Sequence, residues 1–172
     1  MTAPGRRHGR PPVAVRAAAW RLALAALAVV AAPGLPRVEA ATTERVISDL
    51  NSGLAMNGFD PVAYFTDAAP LQGRPDQEYR YAGVIWRFRN EGNKAAFIAN
   101  PDVYMPRYGG YDPIAIGRAV AVAGNPLLWA LVGERLYFFY DEEARARFLA
   151  NPADAVTRAD AAWPGVVEGL VP

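Results

Sequence analysis

Alternation with period two marks two stretches of this chain. Tyr79 and Tyr81 alternate with Arg80, and Trp86 and Phe88 alternate with Arg87 and Arg89. Aromatic residues thus share one face and arginines the other, which predicts two half-buried strands joined at Gly83. Around Gly133 the pattern returns with Trp129, Leu131, Leu136 and Phe138. Each predicted hairpin runs into helical spacing, through Ala95, Phe97 and Ile98 in the first and Ala144, Phe148 and Leu149 in the second. Asn90 and Asp141 suit the caps of these helices, and Glu142 and Glu143 favour the positive first turn. An Asn-Pro step at 100–101 and again at 151–152 ends both, because proline restrains the residue before it from staying helical.

The two stretches therefore read as one repeated unit of strand, tight turn, strand and short helix. The offset is fifty residues at Gly83 and Gly133 but fifty-one at the Asn-Pro steps, which implies one inserted residue between them. Asp60-Pro61 opens a further short helix, with aspartate as cap and proline at the first helical position. A last helix is expected from about Ala153, carrying Val156, Ala159 and Trp163 and stopped by Pro164. Residues 66–77 and 117–126 read as connecting loops. The expected fold is a small single α+β domain of two β-hairpin–helix units plus a C-terminal helix.

Residues 1–40 read as a secretory signal. Arg6, Arg7, Arg10, Arg16 and Arg21 precede or enter an eleven-residue apolar run, Leu22 to Ala32, and Val38-Glu39-Ala40 places cleavage before Ala41. The run is too short for a membrane span, which takes about 20 apolar residues, and an uncleaved anchor is the main alternative reading. Removing it leaves twelve basic and sixteen acidic residues, a net charge of −4, so the precursor's +1 misleads about the product. No basic stripe remains, which argues against nucleic acid as a partner. The chain has no cysteine, and its one histidine, His8, lies in the signal. Thiolate or imidazole metal sites and a Ser-His-Asp arrangement are excluded in the mature chain. The expected location is exported, periplasmic or secreted in a bacterium, with no membrane span after cleavage.

Three motifs then carry a resemblance. NGFDPVAYF at 57–65, the hairpin–helix ending in NPDVY at 100–104, and PRYGGY at 106–111 stand in this order. Together they resemble the exported proteins with a YHS domain, over roughly 54–164, after a lead segment 41–53 and before a tail 165–172. The resemblance implies the hairpin–helix fold. The wider YHS group is similar to small modules whose cysteines hold a transition metal. The matching positions here are Ala63, Arg89 and Asn93, and Asp112 stands where the exported members often have a cysteine after Tyr-Gly-Gly-Tyr, so the resemblance carries over no soft-metal site.

The most unusual local composition is YMPRYGGYD at 104–112. Adjacent glycines let a backbone approach a ligand and expose N–H groups to an anion, and tyrosines offer flat apolar faces with polar tips. The expected ligand-binding residues are Asp60, Tyr64, Arg107, Tyr108, Gly109, Gly110, Tyr111 and Asp112. Tyrosines would stack, glycine amides would donate, and Arg107 would pair with an anion. Asp60 and Asp112 would form a carboxylate pair if the fold brings them together. The sequence is read as an exported, non-catalytic binding protein for a small ligand or an envelope protein, with no cofactor and no metal. Competing readings are a copper-handling protein using Met56, Met105 or oxygen ligands, an Asp/Tyr acid–base enzyme, and a structural partner in an envelope complex.

Overall fold

A computed structural model describes residues 44–170. The expected signal, its cleavage point, His8 and the first residues of the lead segment lie outside the described residues. The first repeat contains a turn over Met56–Gly58, helix α1 (Ala63–Thr66), strands β1 (Arg74–Tyr81) and β2 (Val84–Phe88), and helix α2 (Glu91–Ala99). A one-turn helix α3 (Pro101–Tyr104) leads to the second repeat. That repeat has a turn over Arg107–Gly110, α4 (Pro113–Ile116), β3 (Asn125–Val132), β4 (Arg135–Phe139) and α5 (Glu142–Ala150). A longer helix, α6 (Pro152–Glu168), follows. The strands form two separate antiparallel two-stranded sheets, β1–β2 and β3–β4. This is the expected α+β architecture of two hairpin–helix units and a C-terminal helix.

The expected insertion at the glycines is absent. Tyr81 pairs with Val84 and Val132 with Arg135, so the turn residues are Ala82-Gly83 and Gly133-Glu134. All four have positive φ, the mark of a two-residue type I′ turn. Glycine simply fills the second turn position in one hairpin and the first in the other, and the offset is fifty-one from the hairpins through the Asn-Pro steps. The correction moves side chains between faces, because a shift of one residue in a strand exchanges its two sides. Trp86 and Phe88 correspond to Tyr137 and Phe139, not to Leu136 and Phe138. The aromatic contacts agree. Trp86 and Phe88 meet Phe97 at 4.9 and 5.2 Å between ring centroids, and Tyr137 and Phe139 meet Phe148 at 4.8 and 5.1 Å.

The two hairpins bury different amounts of surface. On β2, Val84, Trp86 and Phe88 are buried while Ile85 and Arg87 are half-buried. Arg87 there pairs with Glu78 across the hairpin at 2.8 Å. On β4, Leu136 to Phe139 are all buried. Leu136 and Phe138 join the first cluster with Met56, Tyr64, Trp86 and Phe97, while Tyr137 and Phe139 join the second with Tyr111, Ile116, Phe148 and Ala159. A strand covered on both faces reads as a continuous apolar run, and Leu136 to Tyr140 is such a run.

Other expectations need smaller corrections. β1 and β3 begin inside the expected loops, through register shifts between Arg74 and Glu78 and between Asn125 and Trp129. Pro75 and Pro126 sit within those irregular stretches, where proline interrupts a ladder at least cost. Asn90 and Asp141 do cap their helices, accepting from the N–H groups of Asn93 and Ala144. Ile98 and Leu149, however, are exposed, and only Phe97 and Phe148 are buried in these helices. The Asn-Pro steps end one helix and start the next, with Asn151 accepting from Asp154 N–H at the start of α6. Pro164 does not stop α6. Pro164 and Asp160, whose carbonyl loses its partner, are both exposed, so water can serve that carbonyl. Trp163, Val166, Val167 and Leu170 pack on the second cluster and hold the last turns in place.

Ala82 carries φ +51 at an exposed turn position with a side chain that disfavours it. Replacing Ala82 with Gly should raise unfolding stability by about 1 kcal/mol, read as a higher urea midpoint with an unchanged slope. A lower midpoint would contradict the turn assignment.

Candidate functional site

Asp60 and Asp112 are both buried, and each is used within its own repeat. Asp60 Oδ1 accepts the Val62 N–H at 2.8 Å, and its Oδ2 accepts the Arg89 N–H at 2.8 Å and the Asn93 side-chain amide at 2.7 Å. Asp112 Oδ1 accepts the N–H groups of Ile114 and Ala115 at 2.7 and 3.3 Å, and its Oδ2 accepts the Tyr140 N–H at 2.8 Å. Arg89 and Tyr140 each directly precede a helix cap. Each carboxylate therefore clamps the start of its Asp-Pro turn to the junction of strand and helix. The expected carboxylate pair is not formed: the two groups occupy equivalent places in different repeats, and no hydrogen bond joins them.

The backbone before each aspartate is also repeated. Met56, Asn57 and Gly58 have φ of 54, 53 and 80°, and Tyr108, Gly109 and Gly110 have 54, 62 and 93°. The N–H of Gly73 donates to Gly58 O, and that of Gly124 donates to Gly110 O. Asp60 N–H donates to Leu71 O, and Asp112 N–H to Val122 O. The signal for this was present in the sequence as NGFDPVA at 57–63 and GGYDPIA at 109–115.

The tyrosines expected to meet a ligand are instead inside the structure. Tyr64 is buried, donates its hydroxyl to Pro126 O at 2.9 Å and meets Trp129 edge-on at 5.3 Å, joining the two repeats. Burial pushes its phenol well above the usual range. Tyr111 is buried and donates to Glu44 O at 2.6 Å. Tyr108 donates to Asp160 Oδ1 at 2.9 Å and packs on Trp163. Its phenol is also raised, by burial first and by Asp160 second. Arg107, expected to pair with an anion, is already paired with Asp160 of α6 and lies over the Tyr108 ring at 5.1 Å.

Gly109 and Gly110 do face a cavity. It measures 170 Å³ and is walled by Ile47, Met56, Pro106, Pro126 and Phe138 together with the glycine backbones, with Asn57 as the polar side chain at its edge. The cavity lies between the equivalent turns of the two repeats. Val46, Ile47, Asn57, Gly124 and Phe138 line it without being among the expected ligand-binding residues, and Met56 enters the expectations only as a metal ligand, because their share in it depends on how the repeats dock. Among the described residues, no three His, Cys, Asp or Glu side chains stand together to hold a metal ion. Among the same residues, no helix is long and apolar enough to cross a membrane.

Gly109 also anchors the lead segment, since the Ile47 N–H donates to its carbonyl at 2.9 Å. A Cβ placed on it would lie 1.9 Å from the Arg45 carbonyl oxygen, at a φ of +62°. Gly109→Ala should therefore release residues 44–49, and hydrogen exchange at Ile47 should accelerate at least tenfold relative to Trp86. Unchanged protection at Ile47 would show that this contact does not hold the segment.

Comparison with known proteins finds no family model, no curated protein and no solved structure that matches this chain.

Proposed function

We propose that this is an exported, non-catalytic binding protein of YHS type that takes a small apolar group in the cavity between its two glycine turns. The observation that carries the reading is the cavity itself, 170 Å³ with walls of Ile47, Met56, Pro106, Pro126 and Phe138. An apolar cavity of about 150 Å³ is large enough to take up benzene, so a ring or a short branched hydrocarbon group is the fitting occupant. Asn57 would meet a single polar atom at its rim. Within the expected set, Gly109 and Gly110 make the contact, while Asp60, Tyr64, Tyr108, Tyr111 and Asp112 support the walls.

Two further features support binding rather than chemistry. Both buried carboxylates are engaged by N–H donors of their own repeat. The buried phenols of Tyr64 and Tyr108 are held in the neutral form by their surroundings. The export assignment rests on the composition of residues 1–40, and the YHS assignment on the three ordered motifs. The apolar group would belong to a small molecule rather than to an envelope protein, since the cavity is small and its neighbouring side chains are occupied.

Titration of the ¹⁵N-labelled protein with benzene tests the reading. Saturable shifts are expected at the Ile47, Gly110 and Gly124 amides. Ala123→Leu, which extends a half-buried cavity-lining side chain, should remove them while leaving the Trp86 region unchanged. Absence of saturable shifts, or their persistence in Ala123→Leu, would contradict it.

A further inference from the structure

The two carboxylate clamps differ at one side chain. In the first repeat, Asn93 sits three residues after the helix cap and its amide donates to Asp60 Oδ2 at 2.7 Å. In the second, Ala144 holds the equivalent position after Asp141. Asp112 Oδ2 then accepts the Tyr140 N–H and no side-chain donor among the described residues. A carboxylate oxygen has about two lone-pair sites, so one acceptor direction filled in the first repeat is vacated in the second.

A cavity of 360 Å³ lies where the amide is missing. Asp112 and Ala144 line it together with Ile114, Val122, Arg118 and Arg147. The charges around it are matched unevenly. Arg147 is paired with Glu143, and Asp141, which also lines the cavity, accepts the Ala144 N–H as the cap of α5. Arg118, exposed just beyond α4, has no carboxylate within 4.0 Å among the described residues. The cavity thus offers a buried carboxylate with spare acceptor capacity and an unpaired guanidinium, with Ile114 and Val122 as an apolar wall. Its volume falls within the range of small-molecule sites, about 300–1,000 Å³. It shares no lining residue with the apolar cavity at the glycine turns.

We propose that this cavity binds a small zwitterion of the α-amino-acid class. The ammonium group donates to Asp112 Oδ2, in the place that the Asn93 amide takes in the first repeat. The carboxylate accepts from the Arg118 guanidinium, whose planar fork matches two oxygens. The ligand's side chain lies against Ile114 and Val122. No bond is made or broken, and the site does not depend on the proposed role of the glycine-turn cavity.

The test is a titration of the whole ¹⁵N-labelled protein with L-alanine and, separately, L-glutamine. Saturable shifts are expected at the amides of Ile114, Tyr140 and Ala144, with acetate and methylammonium each far weaker at equal concentration. Ala144→Asn reproduces the first repeat's plug and should abolish the shifts while the fold is kept. Arg118→Ala, at an exposed position, should weaken binding roughly tenfold to a hundredfold, as expected for one lost charge-assisted pair, and stands independently if Ala144→Asn fails to fold. Three results would overturn the proposal: no saturable shift with either amino acid, an equal response to acetate alone, or binding unchanged by Arg118→Ala. Benzene shifts at Ile47 and Gly110 report on the other cavity and separate the two outcomes.

Discussion

The structure depends on a buried carboxylate used twice. Asp60 and Asp112 each gather three hydrogen-bond donors, and five of the six are backbone N–H groups that are buried or partly buried. Such groups are costly when buried without partners. Because the clamp joins the Asp-Pro turn to the end of the second strand and the cap of the helix, it fixes where the hairpin lies against its helix. The rings of Trp86, Phe88 and Phe97, and of Tyr137, Phe139 and Phe148, then meet in nearly the same geometry. Proline after each aspartate removes one backbone N–H from the turn that would otherwise need an acceptor.

The repeats are equivalent in backbone but not in surroundings. The outward face of β2 carries Ile85 and Arg87 and stays half in water, whereas the corresponding Leu136 and Phe138 of β4 fill the core of the first repeat. One polar outer face therefore ends the series at two units, as a capping repeat does in longer arrays. The second repeat is covered further by α6, whose Trp163 packs against Tyr108 and Tyr111. The same asymmetry places cavities in different settings. The apolar cavity lies where the two glycine turns face each other, and the mixed-charge cavity lies where Ala144 replaces Asn93.

Much of this was legible in the chain. The hairpins, the caps at Asn90 and Asp141, the Asn-Pro steps and the α+β class follow from period and local chemistry. The register of the second hairpin was not, because Gly133 and Gly83 invite alignment although they occupy different turn positions. The run from Leu136 to Tyr140 is apolar at every residue, so alternation alone could not choose its inner face. Pro164 misled for a different reason: the carbonyl it deprives belongs to the exposed Asp160, and the packing of the last turns keeps the helix going. The burial of the candidate tyrosines is not legible in local composition. Tyrosine's polar tip suggested a binding surface, yet at Tyr64 and Tyr111 that tip satisfies carbonyls within the fold. The repeated NGFDPVA and GGYDPIA segments held the information that would have assigned both aspartates the same structural task.

The central claim is that these two carboxylates, rather than the surface charges, hold each repeat together. Equilibrium urea unfolding of Asp60→Ala, Asp112→Ala and, as an exposed reference, Asp76→Ala tests it most directly. The account predicts a loss of about 3 kcal/mol or more for each buried site, from lost bonds to a charged acceptor and the donors left unpaired, against a midpoint close to that of the parent protein for the exposed Asp76. Losses at Asp60 and Asp112 no larger than the Asp76 reference would contradict it.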